Sequence, residues 1–244
     1  MRLFRLRGNA FIIILLIGIF LLSGCNIELF DGRTSRTESF SSTIALGEAK
    51  SIETKIDMGV GELLLTGGCD DLFSGEFLYN IPEWKPEVDY RDSSEKGKLL
   101  IKQPSSMKAN VNKTVYEWIL AINSDIATSL DLDLGVGSYK LDLRGINLTG
   151  LEIDCGVGEL ELDLSGHWDT GFKGSIDSGI GEVTIYLPKD IGVKVDISSG
   201  IGSINTKDLT KKTGSYYNAA AETSPILIEL DIKGGIGEIN IELR

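Results

Sequence analysis

The chain has 244 residues, a formal net charge of −12 at neutral pH and a single histidine. That excess of acid makes nucleic acid and anionic lipid headgroups poor partners for the body of the protein. The length allows one extended repeat domain or two ordinary ones, and nothing in the composition asks for a cofactor.

Arg2, Arg5 and Arg7 precede an apolar run over residues 10–22, followed by Ser23, Gly24 and Cys25. A charged start, a 13-residue apolar stretch and small residues before a cut describe a signal peptide over residues 1–24, too short for a comfortable membrane span. Leu22-Ser23-Gly24-Cys25 resembles a bacterial lipobox. The resemblance implies cleavage before Cys25, diacylglycerol on its thiol and a palmitate-type acyl group on its amine. An uncleaved anchor with an incidental cysteine is the alternative. Under either reading the body is extracytoplasmic and attached to a membrane. Cleavage leaves 21 Lys+Arg against 36 Asp+Glu, a formal charge of −15. Residues 25–43, rich in Ser, Thr and charge and without periodicity, read as the lipidated cysteine and a flexible tether with a span of about 20–25 Å.

Residues 44–125 read as a β-rich amino-terminal part. It contains one copy of a Gly-[Val/Ile]-Gly element, at Gly59, and four strand-like stretches at 76–80, 86–90, 98–102 and 114–122, punctuated by Pro82, Pro86, Gly97 and Pro104. Trp84 and Trp118 fall here with Tyr79, Tyr90 and Tyr116, which predicts a bulkier core than in the repeats. The segment is expected to be either an antiparallel cap over an open end or a set of degenerate rungs, since an exposed rung is a sticky edge.

Residues 126–244 carry the remaining copies, whose first glycines are Gly135, Gly156, Gly179, Gly200 and Gly235. Three residues before the first glycine, all six copies have an aliphatic residue: Ile56, Leu132, Ile153, Ile176, Ile197 and Ile232. One residue after it stand Val60, Val136, Val157, Ile180, Ile201 and Ile236, and four after it Leu63, Tyr139, Leu160, Val183, Ile204 and Ile239. Each copy reads as a period-2 strand, a phase slip at the glycines and a second period-2 strand, a pattern no helix produces. The glycines allow a bend that keeps both arms pointed at one core. Ile153, Val157 and Ile197 are all expected to face inward.

The four middle copies start 21, 23 and 21 residues apart, within the range of stacked-repeat architectures. One copy cannot stand alone. Its roughly six aliphatic side chains return about 1.5–3 kcal/mol each, whereas ordering its backbone costs about 1–2 kcal/mol per residue. Stacking with inter-rung hydrogen bonds ~4.8 Å apart closes the gap. The fold class is therefore all-β, a single-chain β-solenoid bent at its Gly-[Val/Ile]-Gly steps. Cys155, just before a first glycine, points into the core, and Cys69 is not its equivalent in the repeat. Two independent thiols are favoured over a disulfide. The last copy, residues 230–243, presents an outer edge. The loop at 207–223, through Tyr216, Tyr217 and Asn218, is expected to cover that edge, unless the edge recruits another chain.

Phe77, Tyr79 and Asn80, then Trp84, Pro86, Val88 and Tyr90, the stretch from Gly97 to Gln103 and the strand at Trp118 resemble the amino-terminal part of the bacterial toast-rack family of envelope proteins. The glycine repeats and Ile185-Tyr186-Leu187-Pro188 are similar to its repeat half. The resemblance covers nearly all of the chain after the signal peptide. It implies a solenoid and, through LiaF-like and phage-shock relatives, a part in sensing envelope damage. It supplies no catalytic residues.

Acidic columns run through the repeats. Asp57, Asp133, Asp154 and Asp177 stand two before the first glycine, and Glu62, Glu159, Glu182 and Glu238 three after it. Stacked in register they form ladders that could bind Ca²⁺ or a cationic partner. The plainer reading, a solvated outer face, is favoured, because neighbouring carboxylates in water repel by only about 0.9 kcal/mol. Asp133, Asp154, Asp177, Glu159 and Glu182 are thus weak metal candidates and no metal site is assigned. His167 lies in a turn with no nucleophile nearby and reads as a turn residue. No Gly-x-Gly here opens a helix, so a phosphate loop is excluded. The expected function is a non-catalytic, lipid-anchored interaction module that contacts an envelope protein and serves in envelope-stress sensing. The alternative is a structural or adhesive surface protein that binds glycan or another cell, and the outsider is a glycan-active β-helix enzyme.

Overall fold

The computed structural model describes residues 36–104 and 114–244. The signal sequence, Cys25 and most of the expected tether lie outside the described residues. Among the described residues there are thirteen strands and two single-turn 3-10 segments, Pro82–Trp84 and Ala219–Glu222. The all-β solenoid expected from the repeats is what the chain forms.

Six long strands are the six glycine copies: β2 (Ser51–Cys69), β7 (Ala127–Asp142), β8 (Leu148–Asp163), β9 (Lys173–Leu187), β10 (Gly192–Thr206) and β13 (Leu227–Leu243). Each is one rung of two arms joined at its Gly-x-Gly corner. All six stack parallel, with every corner glycine opposite its equivalent in the next rung. Alternation buries one side of each arm. In β8 these are Leu151, Ile153 and Cys155 before the corner and Leu160 and Leu162 after it. The connections close the remaining side with Leu143, Ile146, Leu164, Trp168 and Phe172, all buried.

The corner itself departs from the expected pattern. Val136, Val157, Ile180, Ile201 and Ile236 are exposed, Val157 to 41%. The ladder pairing lapses at the first glycine of each corner, and in β8 the second glycine, Gly158, carries a positive φ of +141°, so the turn involves both and the residue between them faces outside before the second arm regains the core. The alternation that placed Val157 inward beside Ile153 therefore ends one residue too early. Ile197 is only half-buried, for a different reason: its rung is the last in the stack.

The stack order is β2-β7-β8-β9-β13-β10, so β13 lies between β9 and β10. The edge rung is β10, not the last copy. The loop at 207–223 does cover an edge, as expected of Tyr216, Tyr217 and Asn218, but the edge of β10. It forms a hairpin of β11 (Thr210–Lys212) and β12 (Ser215–Tyr217), with Tyr216 and Tyr217 paired to Val195 and Lys194. Buried Asn218 donates to the carbonyls of Pro188, Lys189 and Ile191 and accepts from the Val193 amide.

At the other end β2 is covered by a split rung. Its first arm pairs parallel with β5 (Lys96–Lys102) and its second with β6 (Tyr116–Asn123). Beyond these lie antiparallel strands: β4 (Glu87–Arg91) on β5, β3 (Phe73–Tyr79) on β6 and β1 (Glu38–Ile44) on β3. Both readings of this half are thus realised, a degenerate rung with an antiparallel cap outside it. At the corner the Gln103 side chain accepts from the Val60 amide at 3.0 Å, in the place of a further rung's backbone. β1 also shortens the expected tether, because residues 38–43 pair with β3, where Phe40 stacks on Phe77 at 5.6 Å. The bulkier core is present as a chain of ring contacts, Phe77–Trp118, Trp118–Tyr116 and Tyr116–Trp84, at 5.2–5.6 Å.

Candidate interaction surfaces

In-register stacking turns each outward repeat position into a line of side chains running across the rungs. On the first arms the expected acidic ladder forms, with Asp57, Asp133, Asp154 and Asp177 directly opposite one another. It ends at Lys233, whose ammonium lies 3.3 Å from Asp177. Burial, and then the charge of Asp133, pushes the Asp57 carboxyl above its ordinary range. Above that range the native state is the one that holds the charge at a cost, so this group weakens the fold as pH rises through its raised value.

On the second arms Glu159, Glu182 and Glu238 are likewise consecutive, with Ser138 and Ser203 at the ends. Asn240 donates to Glu182 at 3.1 Å, and Asn205 donates to both Glu238 and Asn240. Amide side chains thus share the work of solvating this column. Among the described residues no three His, Cys, Asp or Glu side chains converge as metal ligands would.

The solvent face of the first arms carries an open trough of about 550 Å³. Gly150 and Gly174 lie in its lining; a Cβ on Gly150 would meet only Ser129, at 4.0 Å, so nothing fills the trough there, whereas one on Gly174 would meet the buried Leu151 and Leu230 side chains. Much of its charge is paired locally: Lys55 with Asp131 at 2.8 Å, Lys96 with Glu53 at 2.9 Å, and Lys173 with Glu229 at 3.1 Å. The Lys96 hydrogen bond and charge hold Glu53 below its usual range, and the Asp131 hydrogen bond raises Lys55. These exposed pairs contribute little stability each, but they leave a polar surface of mixed sign rather than a concentrated acid site.

The third line is apolar. Val136, Val157, Ile180, Ile236 and Ile201 follow one another across five rungs and are all exposed. A glycine stands on each side of every one, so no neighbouring side chain in the rung screens the line. At ~4.8 Å per rung the ridge is about 19 Å long. Sequence alternation hid this surface. The signal that could have found it is the pair of glycines, which mark where the alternation of the strand breaks.

His167 is exposed in its turn, 3.5 Å from Asp169. Cys69 and Cys155 are both free, and burial pushes the Cys155 thiol up to about 11, which disfavours the reactive thiolate. Among the described residues no helix is long and apolar enough to cross a membrane.

The model of the N-terminal domain of toast_rack, DUF2154, matches residues 32–186. The chain is similar to the crystal structure of a candidate cell adhesion protein from Clostridium sporogenes, with 35% identity and a TM-score of 0.83, over 86% of this chain and 100% of that one. A candidate adhesin from Bacteroides fragilis aligns over 86% of this chain and 98% of that one, at 12% identity and a TM-score of 0.36. A comparison with curated proteins finds no match.

Proposed function

Because the chain belongs to the toast-rack family, we propose that it is a non-catalytic envelope protein, held at the outer face of a membrane by lipid on Cys25, that works by surface contact. The observation that carries this reading is the ridge Val136–Val157–Ile180–Ile236–Ile201. A continuous aliphatic line on a solvent-facing surface marks a place of contact, and the acidic, lysine-paired faces beside it supply a polar rim. The similarity to a candidate cell adhesion protein supports an adhesive contact with another cell or its glycan. Envelope-stress sensing through a membrane protein partner is the second reading, supported by the family resemblance and by the short tether.

The anchor is tested by growth with a fatty-acid analogue. Label enters the wild type and is absent from Cys25→Ala; equal labelling of both refutes the anchor. The contact is tested in cells that display Val157→Asp/Ile180→Asp at the wild-type surface level. Both side chains are already exposed, so the fold survives the change. An adhesive role predicts adherence reduced at least about tenfold, the equivalent of ~1.4 kcal/mol of lost contact. A sensing role predicts unchanged adherence and a lost response to envelope damage. If neither changes, the ridge is not the working surface.

A further inference from the structure

The second arm of β10, residues 200–206, is a rung cut off in the middle of its stack. The hairpin pairs with β10 at Lys194 and Val195, and among the described residues no strand lies on the outer side of the second arm. Its row of backbone amides and carbonyls is therefore available to another strand. The core column that runs through the second arms stops there too. Leu63, Tyr139, Leu160, Val183 and Ile239 are 1–3% exposed, whereas Ile204, next in line, is 37% exposed and Ile201 is 69% exposed.

We propose that this arm is a docking edge for the same edge of a second copy of the chain. Charge selects that occupant. Away from this strip and the aliphatic ridge, the arms carry the Asp and Glu columns on their outward faces, which oppose one another when two copies of an acidic protein approach. Residues 199–206 contain no charged residue, Lys207 follows them, and Asn205 holds the nearest carboxylate of the Glu column, Glu238, by a hydrogen bond. This strip lets two copies approach without like-charge opposition. It also lacks the lysines and prolines that protect ordinary edge strands.

Geometry agrees. Antiparallel pairing about a two-fold axis keeps inward faces inward, so the Ile204 side chains of the two copies share a face and cover one another. A parallel seventh rung would need a glycine at its corner, because a Cβ at each second glycine meets the neighbouring rung's carbonyl oxygen, as at Gly202 and Gly237. An antiparallel partner confined to the second arm avoids the corner.

The full chain in detergent is measured by sedimentation over a concentration series, beside Ser203→Lys, an exposed position off the ridge whose replacement spares the core. The expected result is two chains per particle for the wild type and a dimer at least about tenfold weaker for the variant, with equal thermal melts. A wild type that stays single throughout, or a variant that pairs equally well, overturns the proposal. In membranes, Ser203→Cys is expected to give an oxidative cross-link of twice the chain mass, and Ser175→Cys, exposed on a middle rung, is not. A Ser203→Cys product joined to a different protein assigns the edge to a foreign strand and overturns self-pairing.

Discussion

Gly181→Ala is expected to lose on the order of 4–5 kcal/mol or more of unfolding free energy in urea titrations, a large share of the roughly 5–15 kcal/mol that holds an ordinary domain together. Two effects add. Gly181 has φ +146°, which an L-residue rarely adopts, and a Cβ there would lie 1.7 Å from the carbonyl oxygen of Gly158 in the next rung. No side chain can rotate to relieve that overlap, because the obstacle is backbone. The rungs must part, and the parallel ladder breaks on the side facing β8. Gly145→Ala separates the two effects, since Gly145 has φ +74° and nothing within 4 Å of its added Cβ. It is expected to cost about 1–2 kcal/mol, the conformational part alone. Equal losses at the two positions would mean that backbone freedom, rather than rung spacing, is what the corner glycines provide.

Ile153→Ala is expected to cost about 2–5 kcal/mol, and Val157→Ala, four residues along the same strand, under about 1 kcal/mol. Ile153 is fully buried at the centre of the stack, and truncating it leaves a cavity between rungs that a rigid ladder cannot collapse to fill. Val157 lies opposite Val136 and Ile180 but faces water, so its truncation removes little buried area. Urea midpoints for the two variants decide the matter, and comparable losses would place the corner residue back in the core.

The periodicity of the chain made the rung readable because burial repeats along it. Ile56, Leu132, Ile153, Ile176 and Ile232 are all buried, and Cys155 lies among them. It could not place Val157, because alternation counts residues and a corner turns direction between counts. It could not give the order of the rungs either. Every copy has the same inward columns and the same corner glycines, so β13 fits beside β9 as well as β10 does. The connections do not announce it: only four residues, 188–191, carry the chain from β9 past one rung position to β10, and the 20 residues at 207–226 hold the hairpin before the return. The actors in that hairpin, Tyr216, Tyr217 and Asn218, were legible, since two rings and a buried amide in a polar loop need somewhere to go. Which edge they serve was not. Gln103, which stands in for a missing rung at the Val60 amide, left no trace in the pattern, because one side chain replaces one backbone group without any repeat.

The position of β13 also bears on when this protein can fold. It is synthesised after both strands it separates and pairs with each along nearly its whole length. Until it is made, β9 and β10 have no shared ladder to form, and neither has its permanent neighbour on the facing side. Amino-terminal rungs can assemble as they emerge, but the sheet cannot close by simple addition at a growing end. A chain that emerges from its amino terminus therefore keeps the facing sides of β9 and β10 open until β13 has followed them, and a chain cut short before residue 227 exposes two unmatched strands rather than one.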